Sequence, residues 1–174
     1  RQSYESQFDT DAICKVVPID DTHDDSTDSH GDVEHMHAPK NVLELWHGPT
    51  GAFKDMALQC LPHFFSAAAS KQREENGLDH DFLILVATSG DTGGAALAGF
   101  ADTPHVKIAV MYPDGGVSDI QHLQMTTQPG SNLVVWGVSG NFDDCQGIEK
   151  RIFEDQGFNA RLLDRFGYTL SSAN

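Results

Sequence analysis

Basic residues are scarce in this 174-residue chain: 11 Lys and Arg stand against 26 Asp and Glu, for a formal net charge of −15. A surface of that sign is repelled by nucleic-acid phosphates and by anionic membranes, so neither is expected as a partner. Long apolar runs are lacking too. No stretch approaches the roughly 20 apolar residues of a membrane-spanning helix, and no charged-then-apolar leader is present among these residues. Cysteine is sparse. Cys14, Cys60 and Cys145 are odd in number and far apart, which excludes a disulfide framework and fits a reducing cytoplasm. No CxxC pairs with spaced histidines, so no structural zinc site is expected. What these absences leave is a soluble, acidic piece of globular protein, long enough for a sizeable core.

The charge is uneven. Between Lys15 and Lys40 there is no Lys or Arg, while Asp20, Asp21, Asp24, Asp25, Asp28, Asp32 and Glu34 crowd the gap. His23, His30, His35 and His37 lie among them. With so little apolar surface to bury, the stretch from about 16 to 40 reads as a mobile acidic loop within a partial N-terminal region, 1–40. Its histidines and carboxylates are metal-ligand types, but their irregular spacing favours a solvated loop, and no metal is expected.

From Asn41 the texture becomes an alternation of strands and helices. Strands are expected over residues 41–46, 82–87, 106–111 and 132–138. The run Phe82-Leu-Ile-Leu-Val-Ala87 is apolar throughout, as in a strand buried on both faces. Helices are expected over about 53–70, 91–100, 118–125 and 143–155, the first kinked or restarted at Pro62. Tyr168 onward reads as a last strand running into a loop, as though the sheet continued elsewhere. The pattern predicts an α/β fold: a three-layer, open, mostly parallel sheet with helices on both faces, spanning 41–174.

Two segments carry candidate chemistry. In His47-Gly-Pro-Thr-Gly-Ala-Phe-Lys54-Asp55 a strand ends, a Gly/Pro turn follows, and a lysine opens the next helix. A cation is disfavoured there by the helix dipole, which suits a lysine meant to react as a neutral amine. The plainer reading is a solvent-facing Lys54 paired with Asp55. The second segment, Thr88-Ser-Gly-Asp-Thr-Gly-Gly94, directly follows the buried strand. Small residues let a ligand approach the backbone, free amides of the following helix attract an anion, and the hydroxyls of Thr88, Ser89 and Thr92 add donors. The plainer reading here is a tight turn, with Asp91 or Thr92 only capping the helix. Neither a G-x-x-x-x-G-K-[ST] phosphate loop nor a G-x-G-x-x-G dinucleotide fingerprint is present.

Together the segments are more specific than either alone. Residues 42–65 (43–59 above all), residues 86–96, Val138-Ser-Gly-Asn-Phe-Asp-Asp-Cys-Gln146 and Leu170-Ser-Ser-Ala-Asn174 resemble, in the same order, the threonine synthase family. The resemblance covers about Asn41 to Asn174. It implies the tryptophan-synthase-β-like fold (fold type II), pyridoxal 5′-phosphate as cofactor, and conversion of O-phospho-L-homoserine and water into L-threonine and phosphate. Lys54 is then the residue that bonds the cofactor and shuttles protons. Thr88, Ser89, Gly90 and Thr92 match a loop that grips the substrate carboxylate, and Asp91 matches a cofactor-contacting Asn. That position departs from the T-S-G-N-T-G pattern of related enzymes, because an ionised Asp91 cannot donate a hydrogen bond to a phenolate. Asn174 resembles an Asn near the substrate pocket, whereas His47 and Thr50 are assigned only a part in shaping the turn. The family's phosphate-binding glycine loop has no counterpart here, so the isolated chain is expected to bind the cofactor poorly and to turn over nothing. A monomer or homodimer is expected. The alternatives are a related pyridoxal-phosphate lyase acting on another amino acid, and a non-catalytic α/β anion-binding module.

Overall fold

The computed structural model describes residue 4 and residues 8–9, 13–19 and 40–173. The histidine-bearing acidic residues 20–39 and Asn174 lie outside the described residues.

Two short strands, β1 (Lys15–Pro18) and β2 (Asn41–Glu44), pair antiparallel, Val16 opposite Leu43. The strand expected at 41–46 thus forms, but apart from the parallel sheet, and it pairs across the 40/41 division. Next come α1 (Asp55–Leu58) and α2 (Leu61–Asn76). Pro62 sits in the first turn of α2, where its missing N–H costs nothing, so the expected single helix is a short turn followed by a restart. Gly77 closes α2 in the left-handed region at φ 65°.

The main sheet has the order β5-β4-β3-β6, all parallel: β3 (Asp81–Ala87), β4 (Val106–Pro113), β5 (Leu133–Val138) and β6 (Tyr168–Ser172). Between them run α3 (Asp91–Phe100), α4 (Asp119–Thr126), α5 (Phe142–Glu154) and α6 (Gln156–Phe166). Because strand side chains alternate between faces, Ile84, Val86, Ile108 and Val110 pack on one side with Leu97 and Phe100 of α3 and Met125 of α4. Leu85, Ala109 and Met111 pack on the other with Ile148 and Ile152 of α5. This is the expected three-layer arrangement. The helix expected over 143–155 forms as α5, and α6 after it is an element the sequence reading did not expect: Asp155 ends α5 and then caps α6, accepting from the Phe158 amide at 2.8 Å.

Parallel strands place their carboxyl ends on one rim. Both candidate segments lie near that rim, the second leaving β3 directly at Ala87.

Candidate functional site

Lys54 is built into the site by its neighbour. Asp55 is completely buried, and its carboxylate accepts from the amide of Thr50 at 2.9 Å, the Thr50 hydroxyl at 2.9 Å and Gln59 Nε2 at 3.2 Å. These bonds curl the loop 48–54 around the acid. Gly48 is required, since a Cβ there would sit 2.5 Å from the Asp55 carboxylate. Burial pushes the Asp55 acid above the usual carboxylate range, opposed by the donors of Thr50, Gln59 and Gly51. Asp55 is therefore not the surface partner of Lys54 that the plainer sequence reading allows. It is the anchor of the loop that bears the lysine.

The dipole argument for Lys54 needs correction. Lys54 is the N-cap of α1, but α1 is four residues long, one turn rather than the start of a long helix. Its ammonium nitrogen lies 4.8 Å from the centre of the Phe53 ring, a contact that suits a cation.

At the second segment the buried Thr88 hydroxyl accepts from the amides of Gly90 at 2.9 Å and Gly93 at 2.8 Å. Thr88 thus shapes the bend from within rather than presenting its side chain at the surface. Ser89 and Asp91 are exposed, and Thr92 is half-buried. Gly90 has φ 134°, and a Cβ there would overlap the side-chain amide of Gln121, so only glycine fits. Neither Asp91 nor Thr92 caps α3, contrary to the plainer reading; the Thr88 hydroxyl takes the amide of Gly93 in its first turn. Asp91 instead accepts from Gln121 Nε2 at 2.8 Å. The amides of Asp91 and Thr92, at the first two positions of α3, have no possible partner within the helix and are available to an anion.

The two segments converge. Lys54 and Thr92 line one cleft of about 690 Å³, together with Tyr4, Met56, Cys60, Phe64 and Ala173. Had the lysine pointed to the opposite flank from the hydroxyl-rich bend, no joint site would exist. Several contacts hold them at this separation. Gln59 Nε2 also donates to the Ala95 carbonyl at 3.2 Å, tying α1 to α3. Gly99 of α3 lies against the Leu58 carbonyl so closely that a Cβ would overlap it. From α4, Gln124 Nε2 donates to the Thr50 carbonyl at 2.9 Å.

Tyr4 donates from its hydroxyl to the Met56 carbonyl at 2.8 Å, which holds it at the cleft wall. Burial, with Cys60 nearby, raises the tyrosine above its ordinary range. His47 also does more than shape a turn. Its Nδ1 lies 2.6 Å from Asp9 and its Nε2 2.7 Å from Glu44, and these carboxylates, Glu44 first, raise its pKa. Sequence reasoning missed Asp55, Gln59, Gln121, Gln124 and Tyr4. Only Gln121 had a legible signal, standing three residues after Ser118 as in a capping box. Among the described residues no group of three or more His, Cys, Asp or Glu is arranged to hold a metal.

No family model matches the chain. Individual relatives do. Threonine synthase of Saccharomyces cerevisiae is 42% identical over 133 residues, 75% of this chain and 25% of that protein. Threonine synthase-like 1 of Homo sapiens is 41% identical over 147 residues, 82% of this chain and 19% of that protein. Among solved structures, yeast threonine synthase superposes with a TM-score of 0.76 at 35% identity, covering 99% of this chain and 30% of the other. A threonine synthase from Brucella melitensis with PLP bound gives 0.73 at 36% identity, covering 97% and 30%. The chain spans between a fifth and a third of the length of these relatives. With a parallel sheet covered on both faces and sequence likeness running through the lysine loop and the bend after β3, the chain belongs, over its aligned residues, to the threonine synthase family.

Proposed function

We propose that these residues form the lysine-bearing and carboxylate-binding part of a pyridoxal-phosphate-dependent lyase that converts O-phospho-L-homoserine and water into L-threonine and phosphate. The observation that carries the reading is the shared cleft, in which a primary amine and the start of a ten-residue helix stand together. The residues fit such a cofactor: the cleft is within the usual size range for small-ligand sites, and Met56, Leu58, Leu61, Phe64 and Ala173 give it apolar walls. When bound, pyridoxal phosphate supplies the electron sink for the carbanion chemistry. Lys54 Nζ provides the amine that bonds the cofactor and afterwards takes up and returns a proton. Ser89, Gly90 and the amides of Asp91 and Thr92 receive the substrate carboxylate, over a turn that Thr88 holds rigid. At the position matching the family's cofactor-contacting Asn, Asp91 would offer the cofactor only a hydrogen-bond acceptor, not the donor that an Asn would be. Asn174, next to Ala173 of the cleft wall, adds a contact to substrate.

The activity belongs, on this proposal, to a protein of the relatives' length that includes this chain. The isolated chain binds the cofactor weakly and is inactive. The enzyme acts on a small molecule, as monomer or homodimer, in the cytoplasm, with neither nucleic acid nor membrane as partner. No helix among the described residues is long and apolar enough to cross a membrane. Borohydride reduction of the cofactor-loaded full-length protein is expected to leave the label on Lys54. Lys54→Ala is expected to abolish both the label and phosphate release from O-phospho-L-homoserine. Label on another lysine, or an undiminished Lys54→Ala enzyme, would overturn the proposal. Turnover of a different amino acid instead would assign the chain to a related lyase.

A further inference from the structure

A bend that receives a carboxylate has a conflict in this chain, because its own Asp91 places a negative charge at the same spot. Gln121 bears directly on that conflict. Its side-chain amide lies over Gly90, donates through Nε2 to Asp91 Oδ1 at 2.8 Å, and accepts through Oε1 from the Ser118 amide at 2.9 Å. The acceptor side belongs to the capping box of α4, completed by Gln121 N donating to Ser118 Oγ at 3.2 Å. The donor side reaches across to α3 and has no part in capping. One turn further along α4, Gln124 holds the Thr50 carbonyl of the lysine loop. The same helix therefore grips both halves of the site.

We infer that Gln121 is a positioning residue, which draws the Asp91 carboxylate toward α4 and so leaves the first amides of α3 open to an incoming carboxylate. The physical reason is twofold. An unrestrained aspartate at the first position of a helix competes for those same amides, which are the strongest local anion site. Its charge also repels an approaching anion, and an amide donor on one oxygen both offsets part of the charge and fixes its direction. This deepens the proposed function and rests on it for the identity of the anion, but the Gln121–Asp91 clamp itself does not.

Gln121→Glu separates capping from positioning. Glutamate serves a capping box as well as glutamine does, so the stability of α4 is retained, but the donor facing Asp91 becomes a second carboxylate. In the full-length protein, amide hydrogen exchange of residues 88–93 is expected to quicken in Gln121→Glu, and KM for O-phospho-L-homoserine to rise roughly tenfold with a smaller change in kcat. The double variant Asp91→Asn with Gln121→Glu restores a donor–acceptor pair with the roles exchanged. It is expected to recover the exchange protection. Unchanged exchange in Gln121→Glu would reduce Gln121 to a cap and overturn the inference. Quickened exchange that the double variant fails to rescue would overturn the pairing. Loss of the whole proposed function reads differently: Lys54→Ala would leave activity intact while the exchange pattern still followed the Gln121–Asp91 pair.

Discussion

Asp55 carries its carboxylate where solvent does not reach, and three hydrogen bonds from Thr50 and Gln59 hold it there. Asparagine has the same shape but only one accepting oxygen, so its NH2 would face a donor. Asp55→Asn is expected to lower stability by about 1–3 kcal/mol, the range for a buried polar group left unsatisfied, measured by urea unfolding. The sign of the pH effect follows from burial. The folded acid titrates above its unfolded value, so the folded state binds the extra proton, and the contribution of Asp55 falls as pH rises from the unfolded pKa to the folded one. Asp55→Asn should flatten that fall. His47 behaves in the opposite sense. Its pKa is raised by Glu44 and Asp9, so its contribution is complete below the ordinary histidine value and is lost as pH rises through the higher folded one. Exchange of the Asp9 amide, which donates to the His47 carbonyl at 3.1 Å, is expected to quicken over that window, and His47→Gln should remove the dependence. Neither role is visible from residue type. A Lys-Asp neighbour pair reads equally as a surface ion pair, and only burial tells the two apart.

Among the elements, α3 does most to bring the site together, and it does so through small residues. Gly93 and Gly99 lack a Cβ where one would meet Thr88 and the Leu58 carbonyl, so α3 seats closely on both the bend and α1. Gly99→Ala forces backbone against side chain and is expected to cost about 1–3 kcal/mol, as overpacking does. Because the displaced contact is α1, the same variant should weaken cofactor retention in the full-length protein, read from dialysis and absorbance. The bounds of α3 were legible from Asp91 to Phe100, and the parallel strands nearly so, because apolar runs and glycine-rich turns are local signals. The division of α1 from α2 was only half legible. Pro62 announces a restart, but that Lys54 heads a single turn depends on Asp55 pulling the loop inward. The end of α5 at Asp155 was legible, whereas α6 was missed: none of its side chains is fully buried, and its start is marked only by the Asp155 cap.

For the molecule as a whole, a net charge of −15 works against compactness through self-repulsion. Raising salt from about 0.01 M to about 0.15 M shortens the screening length from roughly 30 Å to roughly 8 Å. Thermal stability is therefore expected to rise over that range at neutral pH, in contrast to a protein held by surface ion pairs. Two surface pairs here, Lys71–Glu75 and Lys150–Glu154, are long at 3.8 and 3.9 Å and exposed, and contribute little. A midpoint that falls with added sodium chloride would contradict this account.

The amino-acid sequence by itself determined the alternation of strand and helix, the three-layer class, and the two segments worth watching, since each of these rests on spacing within a few residues. Tertiary structure alone decided that Lys54 and Thr92 share a cleft, that Thr88 turns inward, and that Gln59, Gln121 and Gln124 tie the pieces together. The three glutamine contacts join residues 30 to 74 positions apart, and a hydrogen bond across such a distance depends on where whole elements come to rest.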